Sequence, residues 1–170
     1  VDTANTLLKD SGIKSRIIKH YLPIINRQIN HYLTAMDFPI HFTLNEQFEE
    51  QIQSRFRDDF SYESFSEGEK KRIDLALLLT WRAIARLKNS ASCNMLVLDE
   101  VFSTLAPPDR REITALLTGP GVPWTLVAVS HDEEFLDVCD RVVVLHEGRI
   151  AAAGPWPEVS PLFARQEATR

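Results

Sequence analysis

No glycine in this chain is followed by lysine. The six glycines are Gly12, Gly68, Gly119, Gly121, Gly148 and Gly154. A loop that cradles phosphates reads Gly-x-x-x-x-Gly-Lys-Ser/Thr, because backbone N–H groups and the lysine must wrap the oxygens. That loop is missing from these 170 residues. Cysteine is scarce. Cys93 and Cys139 lie far apart and fit neither a disulfide framework nor a zinc spacing. A reducing compartment, the cytoplasm, is the expectation. Long apolar runs are also missing. The longest, near Leu75–Leu79, is far short of a membrane span, so no membrane partner is expected. Nor is there an excess of positive charge. The net charge of -5 gives no global pull toward nucleic acid or an anionic membrane. The opening Val-Asp-Thr-Ala-Asn has neither the basic nor the apolar region of a signal peptide. It also lacks an initiator methionine, which reads as a chain that begins mid-protein.

What is present is a soluble-type composition, 44% hydrophobic and 25% charged, of a length that fits one domain. From about Leu7 to Met36 apolar residues recur at helical steps (Ile18, Tyr21/Leu22, Ile25, Ile29, Tyr32/Leu33, Met36), which predicts one long amphipathic helix. Pro23 should kink or break it. The element could be the end of a coiled coil entering a globular head. Pro39–Leu44 alternates as a strand does. Phe48, Ile52 and Phe56 mark a second strand or ribbon after a turn at Asn45-Glu46. Ser66 to about Leu87 reads as a helix, Asn94–Leu98 as a buried strand and Pro108–Leu117 as a helix. A turn at Gly119–Pro123, a strand at Trp124–Val129, a short helix at Asp132–Val138 and a hairpin of Arg141–Leu145 with Arg149–Ala153 follow. Strands alternating with helices predict an α/β fold with a mostly parallel sheet and flanking helices. The organisation expected is a long helix over 1–37, a lobe over 38–154 and a loosely packed tail over 155–170.

Three groups carry chemistry. Ser66-Glu-Gly-Glu69 is a capping box, with Ser66 accepting from the third backbone N–H and Glu69 reaching back. The same helix start, opened by Ser66 and Gly68, also offers N–H groups and a positive dipole end to a phosphate. Leu96-Val-Leu-Asp-Glu100 is an apolar strand ending in two acids. Two such acids suit magnesium, with Asp99 holding the ion through water and Glu100 orienting and deprotonating a water. Ser130-His131 follows another strand, and ligands of such sheets bind at the carboxyl ends of strands. Ser130-x-x-Glu133 could form a second capping box, and Asp132, Glu133 and Glu134 suit a helix dipole. Lys70, Lys71, Arg72, Arg82, Arg86 and Lys88 read mostly as a solvated, partly ion-paired face, with a subset available to DNA phosphates.

The run Ser61–Arg82, with Phe-Ser-Glu-Gly-Glu-Lys-Lys-Arg at its centre, and the run Ala85–Phe102, with Leu-Val-Leu-Asp-Glu, resemble the SMC-like ATPases of double-strand-break repair. The branch is that of the large subunits of T-even phage recombination endonucleases, and the likeness covers most of Ile17 to Phe102. It makes the first run the signature motif and the second the Walker B strand of an ATP-binding cassette head. The resemblance implies the C-terminal half of a P-loop NTPase head, joined to its N-terminal lobe through a long coiled coil. It implies ATP and Mg as ligands, a second head as dimer partner, a nuclease subunit and DNA in the assembled complex. By position it implies that Ser66 and Gly68, with Glu69 beside them, meet the γ-phosphate held by the opposite head, and that His131 is the switch histidine. The family loop after Walker B reads Ser-x-Leu-Asp, and here it is Ser103-Thr-Leu105-Ala106, so Ser103 and Leu105 are the dimer-loop residues and Ala106 is a departure. From about Pro107 the chain is more similar to transporter ATPase subunits. ATP hydrolysis is expected only when a lobe carrying the missing loop completes the site. A transporter ATPase fragment, and a non-catalytic interaction module of the same fold, are the alternatives.

Overall fold

The computed structural model describes residues 10–54, 57–88 and 93–167. Two compact units divide the chain, Val1–Cys93 and Asn94–Arg170.

The first unit holds helix α1 (Asp10–Ala35), strands β1 (Ile40–Leu44), β2 (Glu50–Ser54) and β3 (Arg57–Phe60), a 3-10 turn at Tyr62–Ser64, and helix α2 (Glu67–Lys88). Leu22, Ile25, Ile29, Leu33 and Met36 of α1 are buried, at the spacing that keeps one helix face on a core. Phe42, Ile52, Ile73, Ala76 and Leu79 of the same unit are buried as well. Helix α1 packs on both α2 and β1. It is continuous through Pro23, where a kink or break was expected. Pro23 is exposed, so the carbonyl it leaves without a donor is open to water, while Leu22 and Ile25 beside it are buried. The three strands form an antiparallel sheet in the order β1-β2-β3. Phe48 is not in the second strand, as its pattern suggested. It sits in the turn at φ +61, because the Asn45 side chain accepts from the backbone of Gln47 and Glu49 at 2.9 Å and folds the chain there. Phe56 lies outside the described residues.

One feature of α1 was not legible in the sequence. The carboxamides of Asn26 and Asn30, one turn apart, grip the outer edge of β1. Asn26 Nδ2 donates to the Leu44 carbonyl at 3.1 Å and its Oδ1 accepts from the Leu44 N–H at 2.9 Å. Asn30 does the same with Phe42, at 2.6 and 2.9 Å. In an antiparallel strand the N–H and C=O of alternate residues point out of the same edge, so a carboxamide fits each pair in turn. The edge is thereby closed by a helix.

The second unit holds β4 (Met95–Asp99), α3 (Pro107–Thr118), β5 (Thr125–Val129), α4 (Glu133–Asp137), β6 (Val142–His146), β7 (Arg149–Gly154) and α5 (Trp156–Glu167). Strands β4 and β5 pair in parallel, with Val97 opposite Val127 and Asp99 opposite Val129. Strands β6 and β7 form the expected antiparallel hairpin, turning at Glu147-Gly148 with both residues at positive φ. Residues from Pro155, read from their prolines as a loose tail, instead form α5. Pro157 lies in its first turn, where the absent N–H costs nothing. Trp156 and Val159 bury against Leu136, Val142 and Val144, with Phe163 packed beside them. That burial is what orders the segment.

The parallel pair is covered on one face only. Leu96 and Leu98 are buried, while Met95, Val97, Val127 and Val129 are each about half exposed, between 48% and 60%. Parallel sheets are ordinarily covered on both faces.

Candidate functional site

In the first unit the capping box forms as its sequence requires. The Glu69 carboxylate accepts from the Ser66 N–H at 2.8 Å, and the Glu69 N–H reaches Ser66 Oγ at 3.4 Å. A third contact was not foreseen: Ser66 Oγ donates to Glu69 Oε2 at 2.7 Å. The hydroxyl proposed for a phosphate is thus held by a carboxylate of the same charge as the phosphate. Gly68 lies in the first turn of α2. Upstream, Tyr62 Oη donates to Asp74 Oδ1 at 2.8 Å and ties the 3-10 turn to α2. Burial first, and then the Asp74 carboxylate, push the Tyr62 phenol up to about 12. Among the basic residues of α2, Lys70 pairs with Glu67 at 3.0 Å and the Arg72 guanidinium lies over the Phe38 ring at 4.4 Å.

In the second unit the ends of β4 and β5 bring two predicted residues together. His131 Nε2 stands 3.4 Å from Glu100 Oε1, both side chains reached by solvent. Glu100 occupies left-handed backbone at φ +49, uncommon outside glycine and costly for a side chain of this size. Two hydrogen bonds hold it there. Its N–H donates to the Val129 carbonyl at 3.0 Å, extending the β4–β5 ladder by one rung, and its carbonyl accepts from Ser103 Oγ at 2.9 Å. The strain is therefore offset at the residue whose side chain meets His131. Asp99 is exposed on the open face of the sheet. Among the described residues no group of three His, Cys, Asp or Glu side chains could hold a metal ion. Asp99 fits magnesium only in the mode where water and phosphate oxygens supply the remaining ligands.

The loop after β4 is anchored by Phe102 and Leu105, both buried, and Phe102 stacks on Phe135 of α4 with ring centroids 4.4 Å apart. Ser130 and Glu133 do not make the capping box they spell. Asp132 caps α4 instead, its Oδ1 accepting from the Phe135 N–H at 2.9 Å, while Ser130 Oγ accepts from the Asp132 N–H at 3.1 Å. A five-residue helix starting one position later leaves Glu133 inside its first turn. Sequence reasoning also missed Phe163, whose ring centroid lies 6.1 Å from that of His131, because α5 was not foreseen.

Ala106 precedes α3 in extended conformation and has no side chain to cap it. Ala106→Asp should supply an acceptor for the Asp109 N–H, the first available donor behind Pro107 and Pro108. A gain of about 0.5–1 kcal/mol is expected, read as a higher urea midpoint for the second unit.

The fold is that of the C-terminal half of an ATPase head of the P-loop class shared by SMC and ABC proteins. Among solved structures, the SMC head domain from Thermotoga maritima aligns with a TM-score of 0.56 and 26% identity, over 85% of this chain and 51% of that one. In sequence the chain is 62% identical over 96 residues to exonuclease subunit 2 of Enterobacteria phage T4, which covers 56% of this chain and 17% of that protein. It is also 38% identical over 95 residues to a putative ABC transporter ATP-binding protein of Geobacter sulfurreducens, covering 55% of this chain and 33% of the relative. The chain thus spans a sixth to a third of the length of these curated relatives. No protein-family profile matches it. Among the described residues no helix is long and apolar enough to cross a membrane.

Proposed function

We propose that this chain is the C-terminal lobe of an SMC-like ATPase head that works in DNA recombination and double-strand-break repair. An N-terminal lobe, bearing the phosphate loop this chain lacks, completes the ATP site. Head dimerisation driven by ATP is coupled to a nuclease subunit, with DNA in the assembled complex and the host bacterium's cytoplasm as the setting.

The observation that carries this reading is the parallel pair β4–β5. Its apolar outer face is about half exposed and its carboxyl end carries Asp99 and Glu100, with His131 beside Glu100. A parallel sheet left open on one face calls for a covering layer, and the missing lobe is that layer. Glu100 accepts a proton from the attacking water and His131 contacts the departing phosphate. Asp99 would hold magnesium through water, and the ion would offset the negative charge that builds on the phosphate oxygens. Ser66, Gly68 and Glu69 close the site of the facing head. There Glu69 must release the Ser66 hydroxyl before a phosphate can take it.

A transporter ATPase fragment is the second reading, favoured by the Geobacter match. Against it stands α1, whose 26 residues lead into the lobe as a coiled-coil end would.

The test adds a purified phosphate-loop lobe and measures ATP-dependent head association by light scattering. Ser66→Arg should abolish association, because the guanidinium fills the phosphate position of the signature turn. Glu69→Gln, which keeps the cap and removes the charge, should strengthen it several-fold. Association indifferent to Ser66→Arg would end the reading.

A further inference from the structure

The side chain of Arg110 bridges the loop after β4 and the segment that carries His131. Arg110, in the first turn of α3, forks in two directions. Its Nε donates to the Leu105 carbonyl at 2.9 Å, and its Nη1 meets Asp132 Oδ2 in a close ion pair. Asp132 is nearly buried, with 9% of its side chain exposed, and is adjacent to His131. The contacts then close on themselves. Glu100 binds Ser103 through its carbonyl, the loop runs on to Leu105, Arg110 links Leu105 to Asp132, and His131 faces Glu100 again. The Phe102–Phe135 stack runs beneath as a second tie between the same two segments.

We propose that Arg110 is a positioning residue that couples the Ser103–Leu105 loop to His131. This rests on the ATPase-head reading. When a facing head displaces the loop, the Leu105 carbonyl moves, the guanidinium follows, and Asp132 carries His131 toward or away from Glu100. Only a planar fork serves both ends. A lysine keeps the charge opposite Asp132 but cannot hold the Leu105 carbonyl in the same fixed geometry. Ala106 gives the loop no polar side chain, and Arg110 supplies the link within one chain.

The test uses the whole 170-residue chain labelled for NMR. Arg110→Gln should shift the amides of Ser103–Leu105 and also the imidazole resonances of His131, while the Leu96 and Leu98 amides stay in place. Movement of only one segment, or of neither, overturns the proposal. Should that variant fail to fold, Arg110→Lys decides. The loop amides should move and His131 should stay near its native position, and a loop that does not move overturns the proposal. A second arm measures ATP turnover with the phosphate-loop lobe present. Arg110→Gln should lower kcat roughly ten- to a hundredfold, with KM for ATP changed by less than about twofold, as expected of lost positioning. A KM effect without a kcat effect overturns the proposal. If the unaltered chain supports no turnover, it is the head reading that fails, and the NMR arm still judges the coupling.

Discussion

Glu100→Gln, in a head completed by the missing lobe, should cut ATP turnover by about 10²–10⁴-fold, the range for loss of a general base. The amide is isosteric, so the left-handed turn at φ +49 and its bonds to Val129 and Ser103 are retained. What disappears is the carboxylate oxygen 3.4 Å from His131 Nε2. An amide cannot accept the proton of the attacking water. Binding of ATP and association of heads do not require that step, so association should persist and become longer-lived. Phosphate release gives the rate and light scattering the association. Turnover that survives the substitution would remove Glu100 from the mechanism. Turnover by the unaltered chain with no added lobe would show that nothing is missing from the site.

Asn30→Leu should cost the first unit about 2–6 kcal/mol. The side chain is replaced by one of similar volume, so the loss isolates hydrogen bonding. Two backbone groups of Phe42, an N–H and a carbonyl, lose partners at 2.9 and 2.6 Å. Each unsatisfied group costs about 1–3 kcal/mol where water cannot replace the partner. Phe42 is 2% exposed, which limits that replacement. Urea unfolding should report the loss, and hydrogen exchange should place it at the Phe42 amide, whose acceptor is removed, while the Leu44 amide keeps Asn26. Asn26→Leu should give a smaller loss of the same kind, since Leu44 is only half-buried. Unchanged exchange at Phe42 would show that the helix does not hold the strand edge.

Elements with strong local signals were legible from the residues. The α2 capping box, the apolar run of β4 with its two acids and the hairpin at Glu147-Gly148 each depend on neighbours a few residues apart. So does the periodic face of α1. The failures have a common cause. Pro155, Pro157 and Pro161 spoke locally for a tail, but Trp156, Val159 and Phe163 found a buried surface on β6 and α4, and burial prevailed over propensity. Ser130 and Glu133 spelled a cap that Asp132 took, because Asp132 also met Arg110. Phe48 fitted a strand pattern until Asn45 turned the chain beneath it.

The sequence by itself pointed to the class of chemistry. Adjacent acids after an apolar strand, a serine-glycine helix start and the missing Gly-Lys loop are statements about residue type and order, and such statements survive any packing. Tertiary structure alone decided which groups meet. Asn30 on the edge of β1, Arg110 between Leu105 and Asp132, and Glu100 facing His131 join residues separated by up to some thirty positions. A distance of that kind is fixed by how helices and strands pack, and no local pattern encodes it.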